Sequence, residues 1–186
     1  MRHVDLHTIA DIRDGLLKNA THLRVSDALT EFPEDILDLA ETLEILDLSD
    51  NHLSELPSSF ARLSELKIVF LSNNQFTALP TVLADCPNLE MIAFKNNQSS
   101  DIPEHSLPLK TRWLILTDNA VTKLPDSIGD LKNLQKLALA GNQLSALPES
   151  IQHCRALQLI RLAANQLTSI PDCLFQLPKL SWLAFS

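Results

Sequence analysis

Asparagine and proline recur in a single phase along most of this 186-residue chain. The asparagines are Asn51, Asn74, Asn97, Asn119, Asn142 and Asn165, with steps of 23, 23, 22, 23 and 23 residues between them. Six residues after each comes a proline, at Pro57, Pro80, Pro103, Pro125, Pro148 and Pro171, and Pro33 opens the series. A fixed period of that size means stacked copies of one small unit, because one unit alone cannot bury its apolar face. The predicted molecule is a solenoid without a globular centre.

Each unit reads L-x-x-L-x-L-x-x-N-x-L-x-x-L-P. In the first complete unit these slots are Leu43, Leu46, Leu48, Asn51, Leu53, Leu56 and Pro57, with Phe60 and Leu63 carrying the apolar pattern onward. In an extended segment, residues 46 and 48 face one side and residues 45, 47 and 49 the other, so stacked units give parallel strands over a leucine core. The asparagine falls where the chain turns inward and main-chain groups lack partners. Its amide offers donors and an acceptor to satisfy them from unit to unit, which predicts a structural ladder. The proline's fixed backbone angle suits the start of an outer return segment, with a short helix such as 57–63.

This pattern resembles the leucine-rich repeat family over about residues 20–186. The resemblance implies an α/β solenoid: a right-handed horseshoe with a parallel β-sheet on its concave face and short helices or irregular turns on its convex face. It implies about seven repeats plus an incomplete eighth strand. Residues 1–19 are expected to form an N-terminal capping helix, since Ile9, Ile12, Leu16 and Leu17 recur at helical spacing and Thr8 with Asp11 resembles a capping box. The unit after it, 22–42, has no clear ladder asparagine, as terminal repeats commonly do not. The segments 107–119, 134–148 and 177–186 look especially like the repeat segment of bacterial intracellular proteins in which a serine/threonine protein kinase-like domain follows. That likeness implies a recognition segment of a larger signalling protein. An independent scaffold or adaptor, similar to the Ras-group repeat proteins, is the competing reading.

The chain's own chemistry is sparse. Three glycines (Gly15, Gly129 and Gly141) leave no phosphate-binding loop, and neither a His-Arg-Asp nor an Asp-Phe-Gly kinase motif is present, so no catalytic site and no cofactor is expected. His3 and His7 share a ligand-pair spacing without acidic or cysteine support, and the acidic run Glu31, Glu34, Asp35 and Asp38 reads as a solvated face rather than a metal site. Cys86 and Cys154 occupy the leucine slot of Leu63, Leu131 and Leu177. Three repeats separate them, about 14 Å at ~4.8 Å per strand, too far for a disulfide. Cys173 lies on an outer segment without a Cys-x-x-Cys partner. No cysteine-bonded end caps are seen, and the charged start "MRHVDLHTIADIRDG" is neither signal peptide nor membrane span, so a cytoplasmic location is expected, with no membrane.

Net charge is −8, distributed as 13 acidic against 4 basic residues in 1–60 and 10 against 11 in 61–186. Nothing basic tracks a phosphate backbone, so nucleic acid is not an expected partner. The motif stops within an eighth strand between Leu180 and Ser186, before any asparagine or return segment. The expectation is a chain that continues, and an open edge bearing Trp182, Leu183 and Phe185 that frays or self-associates.

Function is therefore sought in what varies between repeats. The outward strand positions, in order, are His22 and Arg24, Ile45 and Asp47, Ile68 and Phe70, Met91 and Ala93, Trp113 and Ile115, Lys136 and Ala138, Leu159 and Arg161, and Trp182 and Ala184. From the third unit to the fifth they are all apolar. Of these, Ile45, Asp47, Ile68, Phe70, Met91, Trp113, Ile115, Lys136, Leu159, Arg161 and Trp182 are the candidate contacts for a protein partner or an adjoining domain. Cross-strand packing that merely stiffens the sheet is the alternative. One unit departs from the pattern: the repeat at 89–110 is 22 residues long and has Ser99 in a leucine slot. It reads as a local adjustment of the convex side or as a polar pocket for a small ligand near Ser99 and Asn97.

Overall fold

A computed structural model describes residues 6–185. Eight three-residue strands form one parallel sheet in sequential order: β1 (His22–Arg24), β2 (Ile45–Asp47), β3 (Ile68–Phe70), β4 (Met91–Ala93), β5 (Trp113–Ile115), β6 (Lys136–Ala138), β7 (Leu159–Arg161) and β8 (Trp182–Ala184). The register follows the sequence period, with Leu46 beside Val69, Ile92 beside Leu114 and Leu137 beside Ile160. The middle residue of each of β1 to β7 is buried and its two neighbours face outward, the alternation a pleated strand imposes. The fold is thus the expected leucine-rich repeat solenoid, with the sheet on the concave face.

Behind the sheet, the leucine slots merge into one continuous core. Leu46, Leu48, Leu53, Phe60, Leu63 and Leu66 are wholly inaccessible, and the next units repeat the arrangement with Val69, Leu71, Phe76 and Leu83. The rings of Phe32 and Phe60 meet edge to face at 5.3 Å, and Phe76 packs on Phe94 at 5.4 Å. Cys86, Cys154 and Cys173 are buried free thiols within this core.

On the convex side the return segments are 3-10 turns: Glu34–Leu39, Ser58–Arg62, Thr81–Asp85, Asp126–Asp130, Glu149–His153 and Asp172–Gln176. Their bonds run three residues back, as from the N–H of Phe60 to the carbonyl of Pro57 at 3.0 Å. Each proline stands one residue before its turn in an extended conformation, so it sets the entry angle rather than the first turn itself. The acidic run lies on the first return segment. There Asp35 receives Arg13 at 3.0 Å and Glu34 receives the Ser59 hydroxyl at 2.8 Å.

The N-terminal helix, α1, is shorter than its sequence pattern suggests, covering Ile9–Arg13. Thr8 and Asp11 do form the reciprocal capping box. The helix ends at Asp14, Gly15 turns left-handed at φ 72°, and Leu16 is consequently thrown outward and 72% exposed, while Ile9, Ile12 and Leu17 pack on the core. His7 covers the edge of β1: its N–H donates to the Arg24 carbonyl at 2.7 Å, and its Nδ1 accepts the Arg24 N–H at 3.1 Å. His3, and with it the ligand-pair spacing, lies outside the described residues, as does Ser186.

Candidate functional site

Three-residue strands in register stack into three columns of side chains, one inward and two outward, and the asparagine ladder beside them is the frame that holds the columns in register. The side-chain oxygen of Asn97 accepts the N–H groups of Asn74 at 3.1 Å and Phe76 at 3.4 Å, while its amide nitrogen donates to the carbonyls of Leu71 at 3.0 Å and Phe94 at 3.3 Å. Asn51, Asn74, Asn119, Asn142 and Asn165 donate in the same way to a carbonyl of their own unit and one of the unit before, and each oxygen accepts at least one N–H of the unit before. In the first unit, which lacks an asparagine, Asp27 and Leu29 donate their N–H groups to Asn51 instead. These six amides are fully engaged and face inward.

The concave face is formed by the outward residues of the strands. In one column Ile45, Ile68, Met91, Trp113, Lys136, Leu159 and Trp182 lie side by side; in the other, Asp47, Phe70, Ala93, Ile115, Ala138, Arg161 and Ala184. The structure therefore brings together every candidate contact along one surface. Ile45, Ile68, Phe70, Met91, Ile115 and Leu159 are half-buried by one another, whereas Trp113 is 36% and Trp182 58% exposed. The Lys136 ammonium stands over the Trp113 ring, 4.1 Å from its centre, a cation–π contact between neighbouring strands.

Size alternation in the second column creates relief. Because Ala138 is small between Ile115 and Arg161, a hollow of about 260 Å³ opens there, lined by Met91, Trp113, Ile115, Lys136, Leu159 and Arg161. On the other side of the same indole lies a smaller hollow of about 120 Å³, bordered by Ile68, Glu90, Met91 and Arg112. Trp113 is the wall between the two.

Charge is arranged unevenly. At the β1 end Arg24 pairs with Asp47 at 3.6 Å, and burial holds the His22 imidazole below its usual range against the pull of Asp47. Along the rim, the residue before each strand alternates in sign: Lys67 meets Glu44 at 3.1 Å and Arg112 meets Glu90 at 3.8 Å, with Gln135 next to Arg112 at 3.4 Å. This rim ladder was readable in sequence as the series Glu44, Lys67, Glu90 and Arg112, but only the register shows that the signs meet.

The irregular repeat departs from the others in its core. Ser99, Ser106 and Thr111 fill three core slots held by larger apolar residues in other units, and all three are wholly buried. Each hydroxyl donates to a main-chain carbonyl: Ser99 to Phe76, Ser106 to Pro103 and Thr111 to Pro108. The Asn97 amide is engaged in the same way, and the same repeat borders an open hollow of about 330 Å³ lined by Asp101, Glu104, Lys123 and Asp126. Among the described residues no cluster of three His, Cys, Asp or Glu side chains is placed to hold a metal ion, and no helix is long and apolar enough to cross a membrane. Burial pushes the Cys86 thiol up to about 12 and the Cys154 thiol up to about 11, so neither presents a thiolate near neutral pH.

The solved structure of a leucine-rich repeat protein from Leptospira interrogans is similar in fold, with a TM-score of 0.57 and 21% sequence identity, over 99% of this chain. The chain spans 65% of that protein's length. No curated protein matches it. The leucine rich repeat family model matches residues 41–98 and 110–167, together more than half of the chain, and with the ladder and register above this establishes that the protein belongs to the leucine-rich repeat family.

Proposed function

We propose that this chain is a protein-interaction module that receives a partner protein, or an adjoining domain, on its concave face. The observation that carries the reading is the run of outward apolar side chains on β3 to β5, partly exposed at every position but Ala93 and centred on Trp113. Sheet stiffening would be served by aliphatic contacts alone; an indole left 36% exposed between two hollows suits an anchor that a partner covers. Leucine-rich repeat frames are typically scaffolds without catalytic chemistry.

The module belongs, in this proposal, to a larger cytoplasmic signalling protein of bacterial type in which a serine/threonine kinase-like domain accompanies the repeats. Support for that context comes from the likeness of segments 107–119, 134–148 and 177–186 to such proteins, and the reading frame beyond Ser186 tests it directly. The outer edge of β8, which among the described residues pairs only with β7, offers a second contact to another copy of the chain. The concave-face reading is tested by affinity capture with the natural full-length protein and its Trp113→Ala variant in parallel. A partner retained by the first and lost by the second supports it; partners captured equally by both contradict it.

A further inference from the structure

Resting on that reading, we propose that the β5–β7 part of the concave face takes an acidic segment of the partner, anchored by one large apolar side chain. Two independent features of the surface point to that chemistry. The first is the hollow itself. At about 260 Å³ it has room for a single large protruding side chain. Its floor and walls are apolar: Ile115, Ala138 and Leu159 below, and the Trp113 indole to one side.

The second feature is charge. Lys136 and Arg161 flank the hollow, both exposed, and neither belongs to any of the five ion pairs found among the described residues. Among the described residues, Asp47 is paired with Arg24, Glu90 with Arg112 and Asp118 with Lys95. Asp47 lies on β2, four strands from Lys136, or ~19 Å at ~4.8 Å per strand, beyond the screening length of about 8–10 Å at physiological salt. In a chain of net charge −8 this is a local positive site around an apolar socket. Carboxylates beside a leucine or an aromatic residue match it on both counts, and a basic or neutral segment matches it on one at most.

The test is selection from a random-peptide library against the full-length protein, its Lys136→Glu/Arg161→Glu double variant and its Trp113→Ala variant. A Lys136→Gln/Arg161→Gln variant is carried alongside in case charge reversal disturbs folding. The proposal predicts peptides enriched in Asp and Glu next to Leu, Ile, Phe or Trp. These bind the double variants about tenfold or more weakly, and their affinity falls as salt rises. Peptides without acidic enrichment, peptides indifferent to both double variants, or no selected peptide at all would overturn it. Non-acidic peptides that Trp113→Ala nevertheless abolishes would overturn the acidic partner and leave the concave-face reading standing. Peptides indifferent to Trp113→Ala would remove both. A face occupied by a second copy would appear as no selected peptide together with a concentration-dependent mass that the double variants lose, and it too would overturn the proposal.

Discussion

At Asn97 one side chain serves five main-chain groups in two neighbouring units, and no apolar replacement can do the same. Asn97→Ala should therefore cost about 2–3 kcal/mol, since each buried group left without a partner costs about 1–3 kcal/mol. The same change at the half-exposed Asn165 should cost less, because water reaches that turn; urea denaturation of the two variants compares them, and equal losses would refute the ladder's dependence on burial. The residue before each ladder asparagine is left-handed: Asp50, Asn73, Asn96, Asp118, Gly141 and Ala164, with φ between 55° and 72°. Asx and glycine tolerate that region, whereas alanine pays roughly 1–2 kcal/mol for it. Ala164→Gly is expected to raise stability by about 0.5–1 kcal/mol, the gain being reduced by the extra freedom of glycine in the unfolded chain. A thermal midpoint that falls, or does not move, would contradict this. The ladder was legible in sequence because it repeats. The strain at Ala164 was not, because nothing about an alanine in isolation announces a positive φ.

Among the elements, the strands were legible to the residue and the outer segments only in outline. Alternation sets which strand residues are buried, whereas the 3-10 form of the return segments depends on how six or so residues span the distance between repeats, which periodicity does not encode. The same limit explains Leu16, whose helical spacing was cut short by the turn at Gly15, and Ser106 and Thr111, whose core slots emerge only once the 22-residue repeat is laid beside its neighbours. Packing between adjacent outer turns is close. A β-carbon on Gly129 would sit 2.7 Å from the Ser150 carbonyl oxygen, so Gly129→Ala should destabilise by about 1–3 kcal/mol through the shift it forces. The Ser150 hydroxyl beside it is buried without a hydrogen-bond partner, and Ser150→Ala should leave the thermal midpoint unchanged or raise it. A loss in the serine variant comparable to that of the glycine variant would mean the hydroxyl has a partner in solution.

Across the whole molecule, each repeat touches only its neighbours, so local stability should follow position along the stack. Amide exchange is expected to be slowest in β3 to β6 and fastest in β8, whose partner lies on one side, with β1 slowed by the cover of His7. Uniform protection from β1 to β8 would show a more cooperative unit than the contacts indicate. The apolar concave face was visible in sequence because the register of a strict repeat can be counted. Its two hollows and the placing of Lys136 over Trp113 were not, since they arise from side-chain size and direction across three strands.

The central claim is that the repeated residues build a frame and the variable outward residues carry recognition. Trp113 and Leu114 are consecutive and point to opposite sides of one strand, which separates the two roles. Leu114→Ala, in the core, should cost about 2–5 kcal/mol of stability. The decisive measurement is the partner affinity of Trp113→Ala in protein whose denaturation midpoint is compared with wild type. The account predicts a near wild-type midpoint and binding weaker by about 2 kcal/mol or more, close to thirtyfold. Unchanged affinity, or unfolding as ready as that of Leu114→Ala, would contradict it.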